Sequence, residues 1–353
     1  MFEGTYLVGL DLGSSAVKAV QLKPHKTGFE LIKFGFEPLP PQSIVDRHVM
    51  NPQVVRDTIQ ALLAKAQIRQ KEVAIAVSGA SVIIKKITLP MMNRDELAEQ
   101  IPWEAEQHIP FNIHDVDVDH QVLQVRPEQG QMDILLVAAK KEDVHQYVSL
   151  VDEAGLKASV VDICAFAIQN AFEANYGAGE GTVALVDVGA TLTTINIVSR
   201  GVTMFTRDIS HGSQFITEEI QRRLQVDFAT AEAYKVGTEA AGGTEVVPNE
   251  AVAVIHQSLD SLAGEIQRSL DFYLKTADVK QVDRIYVSGG TARSAGLLEA
   301  IQARTNAPAE RFDPLRRVHV DARRVDVEWV RGLAPHIVVA LGLALRKTRE
   351  KRS

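Results

Sequence analysis

The sequence predicts an α/β fold of more than one domain. Three observations carry that reading: a length of 353 residues, an internal repeat of a strand–turn–strand unit, and a late strand running through two glycines into a helix-like segment. A single core rarely grows beyond ~250–300 residues, so a chain of this length divides. Its apolar share of 46% and charged share of 24% are those of an ordinary globular protein.

The first unit is "YLVGLDLGSSAVKAV", Tyr6 to Val20, where Asp11 stands between Leu10 and Leu12 and is followed by Gly13, Ser14 and Ser15. A polar group buried in a strand without a partner costs ~2–7 kcal/mol, so a bound ion or ligand is expected to compensate the carboxylate. "LDLGSSAVKAVQL" (Leu10 to Leu22) recurs as "VDVGATLTTINIV" (Val186 to Val198), with Asp11 and Gly13 matching Asp187 and Gly189, and Ser15 matching Thr191. A third strand candidate follows each copy, "FELIKFGF" and "GVTMFTRDI", so each unit reads as a β-meander with a tight, polar first turn. Gly13 and Gly189 permit positive φ or close approach of the backbone to a ligand.

Between the copies, "NRDELAEQIPWEAEQHI" opens with Asn93 and Glu96 at capping-box spacing and sets Leu97, Ile101, Ala105 and Ile109 on one helical face. Pro102 is expected to interrupt and kink this helix, and Pro110 to end it. "DVDVD", Asp115 to Asp119, alternates with period two and reads as a strand with an acidic, solvated face. His108, His114 and His120 are six apart, which aligns them on no single helical face, and they read as surface or structural residues.

After the second copy, Gly212 in "SHGSQFITEEI" either lines a ligand or leads into a helix capped by Ser213. Glu265 and Arg268 lie one helical turn apart and share a face, as a ligand-binding pair or a surface ion pair. In "IYVSGGTARSAGL" a short apolar strand meets Gly289 and Gly290, whose backbone N–H groups could accept a phosphate or let a nucleoside lie against the chain. "IVVALGLAL", Ile337 to Leu345, is far shorter than the ~20 residues that span a bilayer and reads as a buried helix.

Other classes are excluded on residue grounds. A formal charge of −7 argues against a general nucleic-acid binder. The single cysteine, Cys164, allows no internal disulfide and fits a reducing cytoplasm. The amino-terminal segment lacks the basic start and cleavage site of a signal peptide. Neither G-x-x-x-x-G-K-[S/T] nor a strand-following G-x-G-x-x-G occurs, and no H-E-x-x-H does.

Two Asp-x-Gly hairpins, a Gly-Gly turn and two small-residue helices, "DICAFAIQNAF" and "PHIVVALGLAL", resemble the actin-like ATPase superfamily. Within it the chain is similar, over nearly its whole length, to the PilM family of type IV pilus assembly, which is related to FtsA. "SGASVIIKKITLP", "AEQHIPFNIHDVDVD", "ILLVAAKKEDV", "AGLKASVVDICAFA", "TAEAYKVG" and "EIQRSLDFY" carry that likeness. The resemblance implies two lobes, each with a mixed sheet and flanking helices, around a nucleotide cleft. The first lobe would comprise residues 1–85 with 153–180 and 334–353, the inserted α/β subdomain 86–152, and the second lobe 181–333. Pro102 departs from the residue usual in that family, so a groove relying on a straight helix would be altered.

The resemblance further implies ATP and Mg²⁺ as cofactors. Asp11 and Asp187 would hold Mg²⁺ through water, since that ion keeps much of its hydration shell. Gly13, Ser14, Ser15, Gly189, Ala190 and Thr191 would clamp the phosphates, joined by Gly212. Lys18 would reach a phosphate or be a solvent-facing strand residue. Glu265 would bind the ribose, Arg268 the adenine, and Gly289 and Gly290 the adenosine. No residue stands out as a general base, so ATP binding is expected ahead of turnover; weak hydrolysis is still compatible with positioning and charge alone.

The implied function is a cytoplasmic scaffold, peripheral at the inner membrane, which binds the N-terminal tail of a PilN-type membrane protein and meets other pilus machine components. It would touch the membrane only indirectly and bind no nucleic acid. Ile109, Phe111 and the strand after Ser78 are groove candidates, with core roles as the alternative. Two other readings are an FtsA-like cell-division protein and a small-metabolite kinase. For the former the tail "LRKTREKRS" lacks the apolar anchors of an interfacial helix. For the latter Asp162 is the candidate carboxylate, unless it caps the following helix.

Overall fold

A computed structural model describes residues 4–237, 247–277 and 281–348. The first repeat copy forms an antiparallel meander of β1 (Val8–Leu12), β2 (Ala16–His25) and β3 (Gly28–Pro38). A short hairpin, β4 (Ile44–Val45) and β5 (His48–Val49), leads to α1 (Pro52–Lys65). Asn51 caps that helix by accepting the Val54 N–H, with proline at its first position, where no N–H is missed. Then come β6 (Glu72–Val77), β7 (Val82–Pro90), α2 (Arg94–His108), β8 (Val116–Arg126), β9 (Gln131–Lys140), α3 (Lys141–Glu153), β10 (Lys157–Ile163) and α4 (Cys164–Tyr176). The second copy is the meander β11 (Thr182–Val188), β12 (Thr193–Ser199) and β13 (Val202–Ile209). It is followed by α5 (Ser213–Leu224), α6 (Phe228–Gly237), α7 (Asn249–Thr276), β14 (Arg284–Ser288), α8 (Leu297–Thr305), β15 (Ala309–Arg311), β16 (Val318–Val320), α9 (Val327–Gly332) and α10 (Val338–Ala344).

Two mixed sheets result, one per copy. The first has the order β10-β6-β1-β2-β3-β16 and the second β13-β12-β11-β14-β15. In each, the first meander strand pairs in parallel with a later strand, β1 with β6 and β11 with β14, so their carboxyl ends point the same way. Apolar faces of α1 and α3, including Ile59, Tyr147, Leu150 and Val151, fill the core on one side of the first sheet. Residues of α7, among them Leu259, Ile266 and Leu270, do the same for the second.

The small sheet β7-β9-β8 with α2 has its own core of Ile87, Leu97, Ile101, Ala105 and Ile134. The capping box at Asn93 and Glu96 is formed, and the expected face is buried. Helix α2 continues across Pro102 rather than stopping there. Both Pro102 and Ala98, whose carbonyl loses its donor, lie on the exposed side, where water can substitute. Ile109 is buried in this core and Phe111 packs against it, so both serve as core residues. The boundaries at 86 and 152 fall inside β7 and inside α3, and α3 packs with the first large sheet.

The two sheets are joined by α4 and α10, which sit in one apolar cluster with residues from both, such as Val20 and Leu31 from the first and Leu185 and Tyr286 from the second. The approach is backbone to backbone. A Cβ at Gly342 would lie 1.7 Å from the Ala167 carbonyl oxygen, and one at Gly9 would lie 1.9 Å from that of Ala340. The tail leaves α10 as an extended segment, Lys347 bridging to Tyr6, rather than as a helix end; its residues 349–353 lie outside the described ones. Gly342→Ala is therefore expected to destabilise the chain by about 3 kcal/mol. Gly332→Ala, with nothing within 4 Å of the added carbon, should shift it by less than about 0.5 kcal/mol. Urea midpoints of the two variants check this.

Candidate functional site

The repeated turns close in the same way. Gly13 N–H donates to the Ala16 carbonyl (3.2 Å) and Gly189 N–H to that of Leu192 (2.9 Å). Neither glycine has a positive φ. What they provide is space, since a Cβ at Gly13 would meet Lys18 Nζ at 2.7 Å, and one at Gly189 the Leu192 carbonyl oxygen at 3.0 Å. The two hairpins meet tip to tip, with Ser14 Oγ and Thr191 Oγ1 3.0 Å apart. Helix α5 holds the second hairpin: the Ser213 and Gln214 N–H groups donate to the Gly189 and Ala190 carbonyls at 3.0 and 2.8 Å. Gly212, not Ser213, is the cap residue of that helix, and a Cβ on it would come within 2.4 Å of the Ala190 oxygen. Its role here is close packing behind the hairpin.

Behind the tips lies a cavity of about 390 Å³ whose walls include Asp11, Lys18, Asp187, Thr191 and Gly290. Asp11 does not wait for an external cation. Lys18, its cross-strand neighbour, is 9% exposed and places Nζ 3.0 Å from Asp11 Oδ2, which rules out a solvent-facing lysine. The matching register pair in the second copy is Asp187 and Thr194, so Asp187 has no such cation. It accepts a hydrogen bond from Ser288 Oγ at 2.7 Å. Burial nonetheless pushes its carboxyl up to about 6, the Ser288 bond opposing and the nearby Asp11 charge reinforcing the rise. Thr194 instead donates to Asp208 Oδ1 (2.7 Å), whose other oxygen accepts the Gly79 N–H across the cleft (2.5 Å).

The Gly289–Gly290 turn forms another wall. Gly289 has φ +83° and lies so close to β11 that a Cβ would sit 2.2 Å from the Val188 oxygen, two conditions that only glycine meets. A short 3-10 turn, Gly290–Arg293, intervenes before α8. Against Gly290 packs His336, whose ring burial, with Lys18 and Arg293 nearby, lowers its basicity to about 4 and keeps the imidazole neutral. Thr291 Oγ1, in the same wall, is buried without a hydrogen-bond partner.

Several expected residues stand elsewhere. Glu265 and Arg268 form an ion pair with each other on α7 and do not line the cavity. Asp162 is buried at the end of β10, accepts the Ile163 N–H and faces Arg346 at 3.5 Å; it too is absent from the cavity wall. Conversely, the cavity contains residues that sequence reasoning did not single out. Lys235 on α6 is 5% exposed and donates to Glu232 Oε2 (2.7 Å) and Thr217 Oγ1 (2.9 Å). Their i, i+3 spacing within "TAEAYKVG" was the available signal. Arg47 and His336 had none.

The cavity thus joins main-chain turns, hydroxyls and the cations Lys18, Lys235 and Arg47, a lining suited to a polyanion. Among the described residues no group of three or more His, Cys, Asp or Glu could hold a metal ion. The carboxylates lining the cavity are Asp11, Asp187 and Glu232, too few to enclose a cation without ligands from water or the polyanion.

The chain matches the family model of type IV pilus assembly protein PilM over residues 9–348. Among solved structures it is similar to the PilM-PilN type IV pilus biogenesis complex, with 28% identity, a TM-score of 0.86, and coverage of 99% of this chain and 100% of that one. It is also similar to ethanolamine utilization protein EutJ from Carboxydothermus hydrogenoformans (16% identity, TM-score 0.58, 98% and 90% covered). A third likeness is to MreB5 of Spiroplasma citri bound to ADP (11% identity, TM-score 0.52, 95% and 94% covered). The latter two speak for the fold alone, an actin-like one. With the family model spanning all but its ends, the chain belongs to the type IV pilus assembly protein PilM family.

Proposed function

We propose that this protein is a nucleotide-binding adaptor of the pilus inner-membrane assembly complex, holding Mg-ATP in the cleft and the cytoplasmic N-terminal tail of a PilN-type membrane protein on its surface. The observation that carries the nucleotide reading is the pair of Asp-x-Gly hairpins meeting tip to tip over a cavity of about 390 Å³. The donors fit. Thr291 Oγ1 is buried without a partner, and Asp187 forms no ion pair of its own among the described residues. When bound, Mg²⁺ would neutralise phosphate charge, and Asp11 and Asp187 would hold it through water.

The chain's own residues then divide the work. N–H groups of Ser14, Ser15, Ala190 and Thr191 and the hydroxyls beside them orient phosphates, and Lys18 adds charge from β2. Gly289 and Gly290 admit the nucleoside, while Glu232 and Lys235 face it from α6. Such a site positions and neutralises phosphates, so retention of ATP is the expected behaviour. Asp162, engaged with Arg346 away from the cavity, does not serve a metabolite kinase.

The partner is supported by the 28% identical chain, which was solved as a PilM-PilN complex. No described helix is long and apolar enough to cross a membrane, so in this proposal a cytoplasmic protein reaches the inner membrane through that partner.

Single-turnover measurement with Mg-ATP and a PilN-type tail peptide tests the whole reading: both should bind, and ATP should stay intact. Peptide-stimulated cleavage would make the protein an ATPase switch, and binding of neither would overturn the proposal. Asp187→Ala should weaken Mg-nucleotide at least about tenfold by titration calorimetry, and unchanged affinity would sink its metal role. In nucleotide-free protein the folded chain keeps a proton on Asp187 that the unfolded chain releases above its ordinary 3.8. The stability this lends is complete below 3.8 and is lost as pH rises through about 6. Thermal melts of wild type relative to Asp187→Asn should therefore fall by a few °C between pH 4 and 7, with no such difference if the carboxyl ionises normally.

A further inference from the structure

Arg47 is not used by the reading above, yet it lies in the same cavity wall as Asp11, Ser78 and Asp187. It occupies the turn of the β4–β5 hairpin, where Asp46 has φ +47° and Arg47 has φ +70°. That left-handed region disfavours a long side chain, and glycine or asparagine would adopt it with less strain. The hairpin is held there from α3: Tyr147 Oη donates to the Arg47 carbonyl at 3.0 Å, and Gln146 Oε1 accepts the Val49 N–H at 3.1 Å.

The strained backbone directs a guanidinium into the cleft with little to bind. Its two hydrogen bonds, to the Leu12 and Ala76 carbonyls at the ends of β1 and β6, are long at 3.4 and 3.5 Å. Its Nε is buried with no partner, and Arg47 forms no ion pair among the described residues. The Tyr147 ring lies below at 5.3 Å from its carbon. Burial opposes the charge, while the nearby carboxylates of Asp11 and Asp208 favour it. With only two long carbonyl bonds and an unpartnered Nε, the guanidinium keeps donors to spare for an anion entering the cleft. Staple bonds between strand ends would not need a left-handed arginine to form.

We propose that Arg47 binds the terminal phosphate of a nucleoside triphosphate and makes the cleft prefer triphosphate to diphosphate. This rests on the nucleotide reading above. The direction follows from the lobes: the Gly289–Gly290 turn follows β14 of the second sheet, Arg47 reaches the ends of β1 and β6 of the first, and both line one cavity. A nucleotide whose nucleoside sits at the glycine turn extends its last phosphate toward Arg47. The planar guanidinium suits a phosphate through paired N–H donors.

The test compares Kd values for Mg-ADP and for a non-hydrolysable Mg-ATP analogue, using full-length wild type, Arg47→Gly and Arg47→Lys. Arg47→Gly relieves the turn strain and should fold. It is expected to weaken the triphosphate analogue on the order of 10- to 100-fold while changing ADP by less than about threefold. Arg47→Lys keeps a charge without the fork and should lose an intermediate amount, which serves the test if the glycine variant does not fold. Parallel loss of both ligands, or an unchanged ratio in both variants, overturns the role of Arg47 alone. Wild type that binds neither nucleotide overturns the nucleotide reading and this assignment together.

Discussion

The approach of α10 to β1 on one side and to α4 on the other leaves room for main chain only. Gly9 and Gly342 are where that contact is made. Interiors are packed at crystal density, so such a contact fixes distance more firmly than flexible side chains could. It sets where the carboxyl end of β1 lies, and α4 passes the same constraint to the second sheet through the shared apolar cluster. Only with that spacing do Ser14 and Thr191 come within 3.0 Å. The site is thus a consequence of two glycines that line none of it.

The hairpins are copies in geometry but not in charge. Asp11 carries its cation in the chain, whereas the equivalent position to Lys18 in the second copy is Thr194, turned to Asp208. The first lobe therefore presents a neutralised carboxylate and the second a carboxylate that burial drives toward protonation. Duplicated backbone with divergent register partners gives one cleft with two different faces. A ligand bringing both negative phosphates and a hydrated cation would complement both at once.

Much of this was legible because it is local. Asp-x-Gly, its hydroxyl neighbours and its strand periodicity lie within about a dozen residues and recur, so the repeat disclosed the hairpins and their facing acids. The capping box at Asn93 and the buried run ending at Leu345 were legible for the same reason. Lys18 could not be resolved from sequence because its burial depends on what covers that face of the sheet. Arg47, His336 and Lys235 are brought to the cavity by tertiary packing, and of the three only Lys235, spaced i, i+3 from Glu232, carried a local signal. Pro102 is carried inside α2 because a proline's cost depends on whether water can reach the orphaned carbonyl, which a sequence does not state.

The Glu265–Arg268 pair shows how far spacing can be pressed. A shared helical face brings two opposite charges together whether or not a ligand lies beyond them, and here they pair with each other. Lys235 and Glu232 have the same i, i+3 spacing and also pair, yet Lys235 is 5% exposed and lines the cleft. What separates the two pairs is the burial of the cation, since the two glutamates are about equally exposed. An exposed pair is solvated in either state and gains little from order. A buried lysine, held by Thr217 as well, is pre-positioned and loses little entropy when a ligand arrives. Desolvation of the cation, which sequence patterns do not report, is what distinguishes two motifs of equal spacing.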